Sequence, residues 1–303
     1  MTVLDRAARR FLDALNRVAS AQDPTVESLR AAAAALAPLA SPAPPVERIE
    51  AALGPLRLRL YSPPGRAHDL LPGLVYFHGG GLVAGDLDTH DALAAALAAG
   101  ADCRVIAVDY ARAPEAKFPA AYEDAVAATL GVARDPARFR LTQVGVAGDS
   151  AGGQLAALAS RAARDAGVEL CLQLLLCPVM DPLARAPSRF ALAEGHLLTE
   201  ATMRAYWDAY RGEGLRPDDP RVTPLAAGDF TGLAPAIIHI ADGDPVCDEG
   251  ADYAQKLSAA GVACRLTRHA GLIHHFYGLG AVIPAARAAL TAIVADLKAA
   301  LAA

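Results

Sequence analysis

The 303-residue chain lacks the marks of a membrane protein, a nucleic-acid binder or a disulfide-stapled domain. No run of about 18 apolar residues occurs anywhere, so no membrane-spanning helix is expected. The stretch from Met1 to Ser20 interleaves Asp5, Arg6, Arg9, Arg10 and Asp13 with apolar residues and contains no apolar core of a secretion signal. Basic residues are not in excess: 28 Lys and Arg stand against 33 Asp and Glu, a net charge of −5. That balance argues against a positive surface for phosphate backbones or anionic lipids. Cysteine is sparse, with five residues, an odd number, and no CxxC pair, so reduced thiols are expected rather than disulfides or a zinc site. Cys171 and Cys177, read as sharing one strand, would lie roughly 20 Å apart, too far to bridge. The expectation is a soluble cytoplasmic protein with no nucleic-acid partner and no stable membrane insertion. Oligomeric state is left open, a homodimer included.

Apolar residues are plentiful, at 54%, enough for a large core. Residues 3–19 carry Leu4, Ala8, Phe11, Leu12, Leu15 and Val18 at helical spacing, and a second helix is expected over 26–39. Ser41-Pro42-Ala43-Pro44-Pro45 then breaks the chain. Leu56 to Tyr61 alternates apolar and charged residues, as in a strand with one wet face. Beyond it, short apolar runs alternate with helical stretches. Strands are expected at 73–77, 104–108, 144–147, 170–176, 236–240 and 262–266. Helices are expected near 90–100, 119–134, 152–166, 248–260 and 284–302. This alternation means a mainly parallel sheet covered on both faces. A long excursion, 181–233, holds a helix near 200–211 and the only tryptophan, Trp207; an insertion of that length reads as a lid or cap. The division expected is 1–45 for N-terminal helices, 46–180 and 234–303 for the core, and 181–233 for the insertion.

Gly148-Asp149-Ser150-Ala151-Gly152-Gly153 joins the apolar run 144–147 to the alanine-rich helix after it. A turn from strand to helix this tight strains its apex residue and crowds the neighbouring segments, which glycine tolerates. Ser150 is thereby exposed at a helix N-terminus, where N–H groups can stabilise developing negative charge. A serine needs a base. Asp244 and His274 both follow expected strands, at the edge where functional loops of such sheets gather. The chain order Ser, Asp, His is that of the α/β-hydrolase layout, and Asp248 is the alternative carboxylate. His78-Gly79-Gly80-Gly81 follows another strand, and its glycines let backbone N–H donors approach a tetrahedral oxyanion. His78 itself reads as an organiser of that loop rather than the base.

Together these motifs resemble the hormone-sensitive lipase family of carboxylesterases, in its Gly-Asp-Ser-Ala-Gly branch. The resemblance also takes in Gly85-Asp86, Asp109 to Glu115, Lys117 to Ala121 and Asp244 to Gly250. It implies an eight-stranded, mostly parallel α/β-hydrolase sheet under a small cap, made from the N-terminal helices and part of the insertion, including Gly195 to Thr199 and Trp207. It makes Ser150 the nucleophile, His274 the base and acid, and Asp244 the carboxylate that orients it. Gly80, Gly81 and Ala151 would supply oxyanion N–H groups, with Gly79 as a further candidate. Leu82, Leu198, Met203 and Trp207 would line the substrate pocket, and Asp86, Glu115 and Asp149 would brace loops. No cofactor and no metal is implied.

Three positions depart from the family pattern: Leu82 replaces an aromatic, His196 a tyrosine, and His275 the glycine that usually follows the catalytic histidine. A charged His275 would lower the apparent pKa of the acid limb of activity. The expected reaction is hydrolysis of short- to medium-chain acyl esters through an acyl-enzyme. The alternatives are a lactonase or amide hydrolase using the same site, and a non-catalytic small-molecule receptor. Receptors of this kind lose the triad histidine, and His274 is present.

Overall fold

Alternating strands and helices put two apolar layers on one sheet. The computed structural model describes residues 3–18, 24–216 and 218–302; residue 19 of the expected first helix lies outside them. The strands are β1 (Glu47–Leu53), β2 (Leu56–Ser62), β3 (Leu71–Phe77), β4 (Arg104–Asp109), β5 (Leu141–Asp149), β6 (Gln173–Leu176), β7 (Ala236–Gly243) and β8 (Cys264–Ile273). The helices are α1 (Arg6–Val18), α2 (Val26–Leu36), α3 (Asp91–Ala101), α4 (Ala120–Arg134), α5 (Ala151–Asp165), α6 (Pro187–Ala191), α7 (Glu200–Tyr210), α8 (Cys247–Ala259) and α9 (Pro284–Leu301). The strands form one sheet in the order β1-β2-β4-β3-β5-β6-β7-β8, antiparallel at β1-β2 and β2-β4 and parallel elsewhere.

Successive side chains of a strand point to opposite faces. On β3, Val75 and Phe77 pack into one core and Leu74 and Tyr76 into the other; Ile106 and Val108 of β4 oppose Val105 and Ala107 in the same way. Both faces are buried, which is why these strands read as continuous apolar runs. Among the described residues, no helix is long and apolar enough to cross a membrane.

Three expectations change. β1, with Glu47, Arg48 and Glu50 among its seven residues and none of them buried, does not stand out in the sequence; it is an edge strand held by antiparallel pairing with β2. β8 runs on to Ile273 through Arg265, Thr267 and His269, because pairing with β7 continues past the last apolar pair of the expected strand. Cys171 and Cys177 do not share a strand: they flank the short β6, and all five cysteines are free thiols.

Four loops leave the sheet at the same edge. β3 runs into His78, β5 into Ser150, β7 into Asp244 and β8 into His274. Their strands are parallel, so all four residues meet above the C-terminal ends, with β5 in the interior of the sheet.

Candidate active site

Ser150 stands between β5 and α5 with φ +53° and ψ −122°, a left-handed backbone that costs energy for a non-glycine residue. The strain is held by its surroundings. Ser150 N–H donates to Leu176 O at 2.8 Å, and Ser150 O accepts from Val179 N–H at 3.1 Å. Gly152 is required by close approach, since a Cβ there would collide with the carbonyl oxygens of Phe77 and His78. The turn therefore fixes the backbone from which the Ser150 side chain projects between β5 and α5.

His274 Nε2 lies 3.0 Å from Ser150 Oγ, and His274 Nδ1 lies 2.8 Å from Asp244 Oδ2. All three residues are buried, with Asp244 fully so. Asp244 Oδ1 accepts from Val246 N–H at 3.0 Å, which fixes the carboxylate. Asp248, the alternative carboxylate, turns away and accepts from Ser188 N–H at 2.8 Å. An imidazole held between a hydroxyl and a carboxylate can take the hydroxyl proton and return it to a leaving group.

The loop after β3 is held from below by Asp149. Its Oδ1 accepts from the Tyr76 hydroxyl and, at 3.1 Å, from Gly79 N–H. Gly79 is thereby removed from the expected oxyanion donors, because its N–H points into the fold. Gly80 and Gly81 have no acceptor for their N–H groups among the described residues. Ala151 opens α5, where backbone N–H groups have no intrahelical acceptor. Gly80 sits at φ +113° with no room for a Cβ against Ala84 O.

His78 is buried; its ring stacks on Tyr110 at 4.3 Å and its Nδ1 lies 2.7 Å from Gly79 O. Burial, then the nearby charge of His90, push its pKa down to about 3, so it is a neutral brace for the loop. Asp86 caps the Asp88 and Thr89 N–H groups, and Glu115 pairs with Arg30 of α2 at 2.6 Å. Burial would raise the Asp149 pKa, yet the positive charge of His90 and the Tyr76 hydrogen bond hold it well below the usual carboxylate range. Burial would lower the His90 pKa, but the Asp149 carboxylate more than offsets this and raises it.

Two cavities meet at Ser150. The smaller is lined by the expected Leu82, Leu198, Met203 and Trp207. Gln154, Arg189 and Tyr206 also line it and were not anticipated. The larger opens between α1, α2 and the 196–206 stretch and reaches His274 and His275. Arg189 has no sequence signature: its role is visible only in the fold, where it forms a buried pair with Glu249 at 2.6 Å.

His275, in the position of the family's glycine, adopts the left-handed φ of +62°. Burial, then the charges of His90 and His274, depress its pKa to about 3. The charged neighbour considered from the sequence is therefore absent at neutral pH.

The sheet order and the strand-end residues define an α/β hydrolase. Residues 74–278 match the family model described as an alpha/beta hydrolase fold. The chain belongs to that family, within its hormone-sensitive lipase type. It is 36% identical over 249 residues to the ethyl acetate hydrolase of Pseudomonas putida, a match spanning 80% of this chain and 78% of that one. It is 42% identical over 235 residues to the carboxylic ester hydrolase LipN of Mycobacterium tuberculosis; this match covers 75% of the chain and 62% of LipN, under two thirds of that relative's length. Among solved structures, LAE6, an alpha/beta hydrolase enzyme from the metagenome of Lake Arreo, superposes with a TM-score of 0.92 at 35% identity, over 99% of both chains. By this kinship the chain is a carboxylic ester hydrolase.

Proposed function

We propose that the chain is a serine carboxylesterase acting on short- to medium-chain acyl esters through an acyl-enzyme. The observation that carries this reading is the continuous path Ser150 Oγ, His274 Nε2, His274 Nδ1, Asp244 Oδ2, at 3.0 and 2.8 Å. As Ser150 Oγ attacks the ester carbonyl carbon, its proton passes to His274 Nε2, and Asp244 stabilises the imidazolium that forms. The carbonyl oxygen becomes an oxyanion facing the N–H groups of Gly80, Gly81 and Ala151. Collapse expels the alcohol, which takes the proton from His274. Water then attacks the acyl-enzyme by the same route, and Ser150 is regenerated as the acid leaves.

The acyl chain belongs in the smaller cavity, walled by Leu82, Leu198, Met203 and Trp207. Of the described residues, 3–18, 24–45, 181–216 and 218–233 are assigned to the cap, over a core of 46–180 and 234–302. Each buried CH₂ adds about 0.8 kcal/mol, or roughly fourfold in kcat/KM, until the cavity is full. Activity should rise from acetyl to about butyl or hexyl esters and then fall. That a relative is named an ethyl acetate hydrolase agrees with a short acyl group. The test is Ser150→Ala: kcat should drop by about 10⁴-fold with the fold intact by circular dichroism. An unchanged rate contradicts the mechanism.

A further inference from the structure

Beside the serine, on the wall of the larger cavity, three side chains converge that the ester chemistry leaves unassigned. His90 comes from the loop before α3, Asp149 from the end of β5 and His275 from the turn after β8. One possible ligand atom from each lies within 4.8 Å of the other two.

Their hydrogen bonding is incomplete. Asp149 is fully buried, and its Oδ2 accepts no hydrogen bond. His90 Nε2 stands 3.4 Å from that oxygen. The other His90 nitrogen, Nδ1, lies 3.0 Å from Thr89 Oγ1, whose own hydrogen is directed at Asp86 O, also at 3.0 Å. Nδ1 must therefore be the donor. With Nδ1 donating, His90 Nε2 faces the Asp149 carboxylate oxygen directly, and the space between them holds either the proton that makes His90 the positive partner of Asp149 or, in its place, a metal cation. His275 closes the third side, with its ring at 75° to that of His90 and no hydrogen-bond partner on either nitrogen among the described residues.

We propose that His90 Nε2, Asp149 Oδ2 and a ring nitrogen of His275 form a binding site for a divalent transition-metal ion such as zinc. Two imidazoles and one carboxylate suit Zn²⁺, Co²⁺ or Fe²⁺ rather than the hard cations that prefer all-oxygen shells. The 3.4 Å between His90 Nε2 and Asp149 Oδ2 is close to the edge of a tetrahedron with metal–ligand bonds of about 2.0–2.1 Å. Closing the set requires the His275 ring nitrogen to move toward the other two ligand atoms from within 4.8 Å of them. Thr89 Oγ1 holds the His90 ring from behind, as an outer partner of a ligating histidine does. All three residues line the large cavity, which gives the ion an entry path and leaves its remaining positions open.

Occupancy has a consequence for catalysis, and this part rests on the serine-esterase reading. Asp149 Oδ1 anchors Gly79 N–H, so an ion drawing charge from the carboxylate loosens the loop that presents Gly80 and Gly81. Metal binding is therefore inhibitory.

The experiment titrates metal-stripped protein with ZnCl₂ by calorimetry and with Co²⁺ by visible absorption at about pH 7.5, where neutral imidazoles compete well for metal. Neither readout depends on ester turnover, so failure of the site and failure of the esterase reading are told apart. Wild type should bind one ion per chain. His275→Gly, whose new residue suits the left-handed backbone, should bind it at least about 100-fold more weakly. His275→Asn, also tolerant of that backbone, guards against a folding artefact and should be weakened likewise. His274→Ala should bind as wild type does, because the neighbouring group of Cys177, Asp244 and His274 is not the site. Zinc should inhibit wild-type hydrolysis and spare His275→Gly. The proposal is overturned if wild type binds no stoichiometric metal, the result that water or a His90 proton filling the gap would give. It is also overturned if His275→Gly binds equally well, or if binding is lost in His274→Ala instead. Equal inhibition of both proteins overturns the link to catalysis.

Discussion

The edge of the sheet and the segments that cover it are held by different means. At the edge, each reacting residue stands one position past a strand end, and two are tied to the backbone, Ser150 by its N–H to Leu176 O and Asp244 by its Oδ1 from Val246 N–H, with His274 held between their side chains. Over it, the covering helices are fastened by a few long side chains. Arg30 of α2 grips Glu115, Val83 O and Ala113 O, Asn16 of α1 reaches Gly195 O, and Arg189 of α6 pairs with Glu249. The first region holds in line the atoms between which the proton must pass. The second shapes the pocket above them. Changes at the edge should therefore act on kcat, and changes in the cover on stability and chain-length preference.

The largest expected effect is at the edge. Asp244→Asn should lower kcat by about 10⁴-fold by favouring the wrong imidazole tautomer, while Asp248→Asn should cost less than about tenfold. A reversed order in steady-state kinetics would move the orienting role to Asp248. Next comes the buried pair under the cover. Its side chains are 4% and 1% exposed, and burial already raises the Glu249 pKa to about 7 beside Arg189, so Arg189→Met leaves Glu249 to be buried without its cation or to take up a proton. The loss should be about 3–5 kcal/mol in urea denaturation, with much of it restored by adding Glu249→Gln. A loss below about 1 kcal/mol would show that the pair is solvated.

Smaller effects belong to the pocket. Trp207→Ala enlarges the cavity beside Ser150, so the preferred acyl chain should lengthen by about two carbons or more, at roughly fourfold per CH₂. An unmoved optimum across a series of nitrophenyl esters would place the acyl chain elsewhere. The smallest effect concerns pH. With its pKa near 3, His275 is uncharged through the working range and has no charge to set against an imidazolium on His274. His275→Gly should therefore leave the acid limb of kcat/KM within about 0.3 pH unit, and an upward move of a full unit would mean His275 is charged after all.

Much of the edge is legible in the sequence because its chemistry is local. A glycine-flanked serine after an apolar run, three glycines after another, and an aspartate and a histidine after two more are each short-range patterns. Gly79 was misread for the opposite reason: its N–H is taken by Asp149, seventy residues away. Arg189 was missed because Glu249 lies sixty residues on, with no pattern joining them. β1 was missed because an exposed edge strand has no apolar signature. Leu198, Met203 and Trp207 reach the cavity as the family resemblance implied, whereas Gln154 and Tyr206 join them only through packing. Long-range partnerships are where sequence patterns run out.

The central claim, that Ser150 is activated by His274 and not by its neighbour, is most directly tested by labelling with a fluorophosphonate probe and locating the adduct by peptide mass spectrometry. The account predicts an adduct on Ser150 in wild type and in His275→Gly, and a labelling rate lower by about 10³-fold or more in His274→Ala. Labelling that survives in His274→Ala and vanishes in His275→Gly would contradict it.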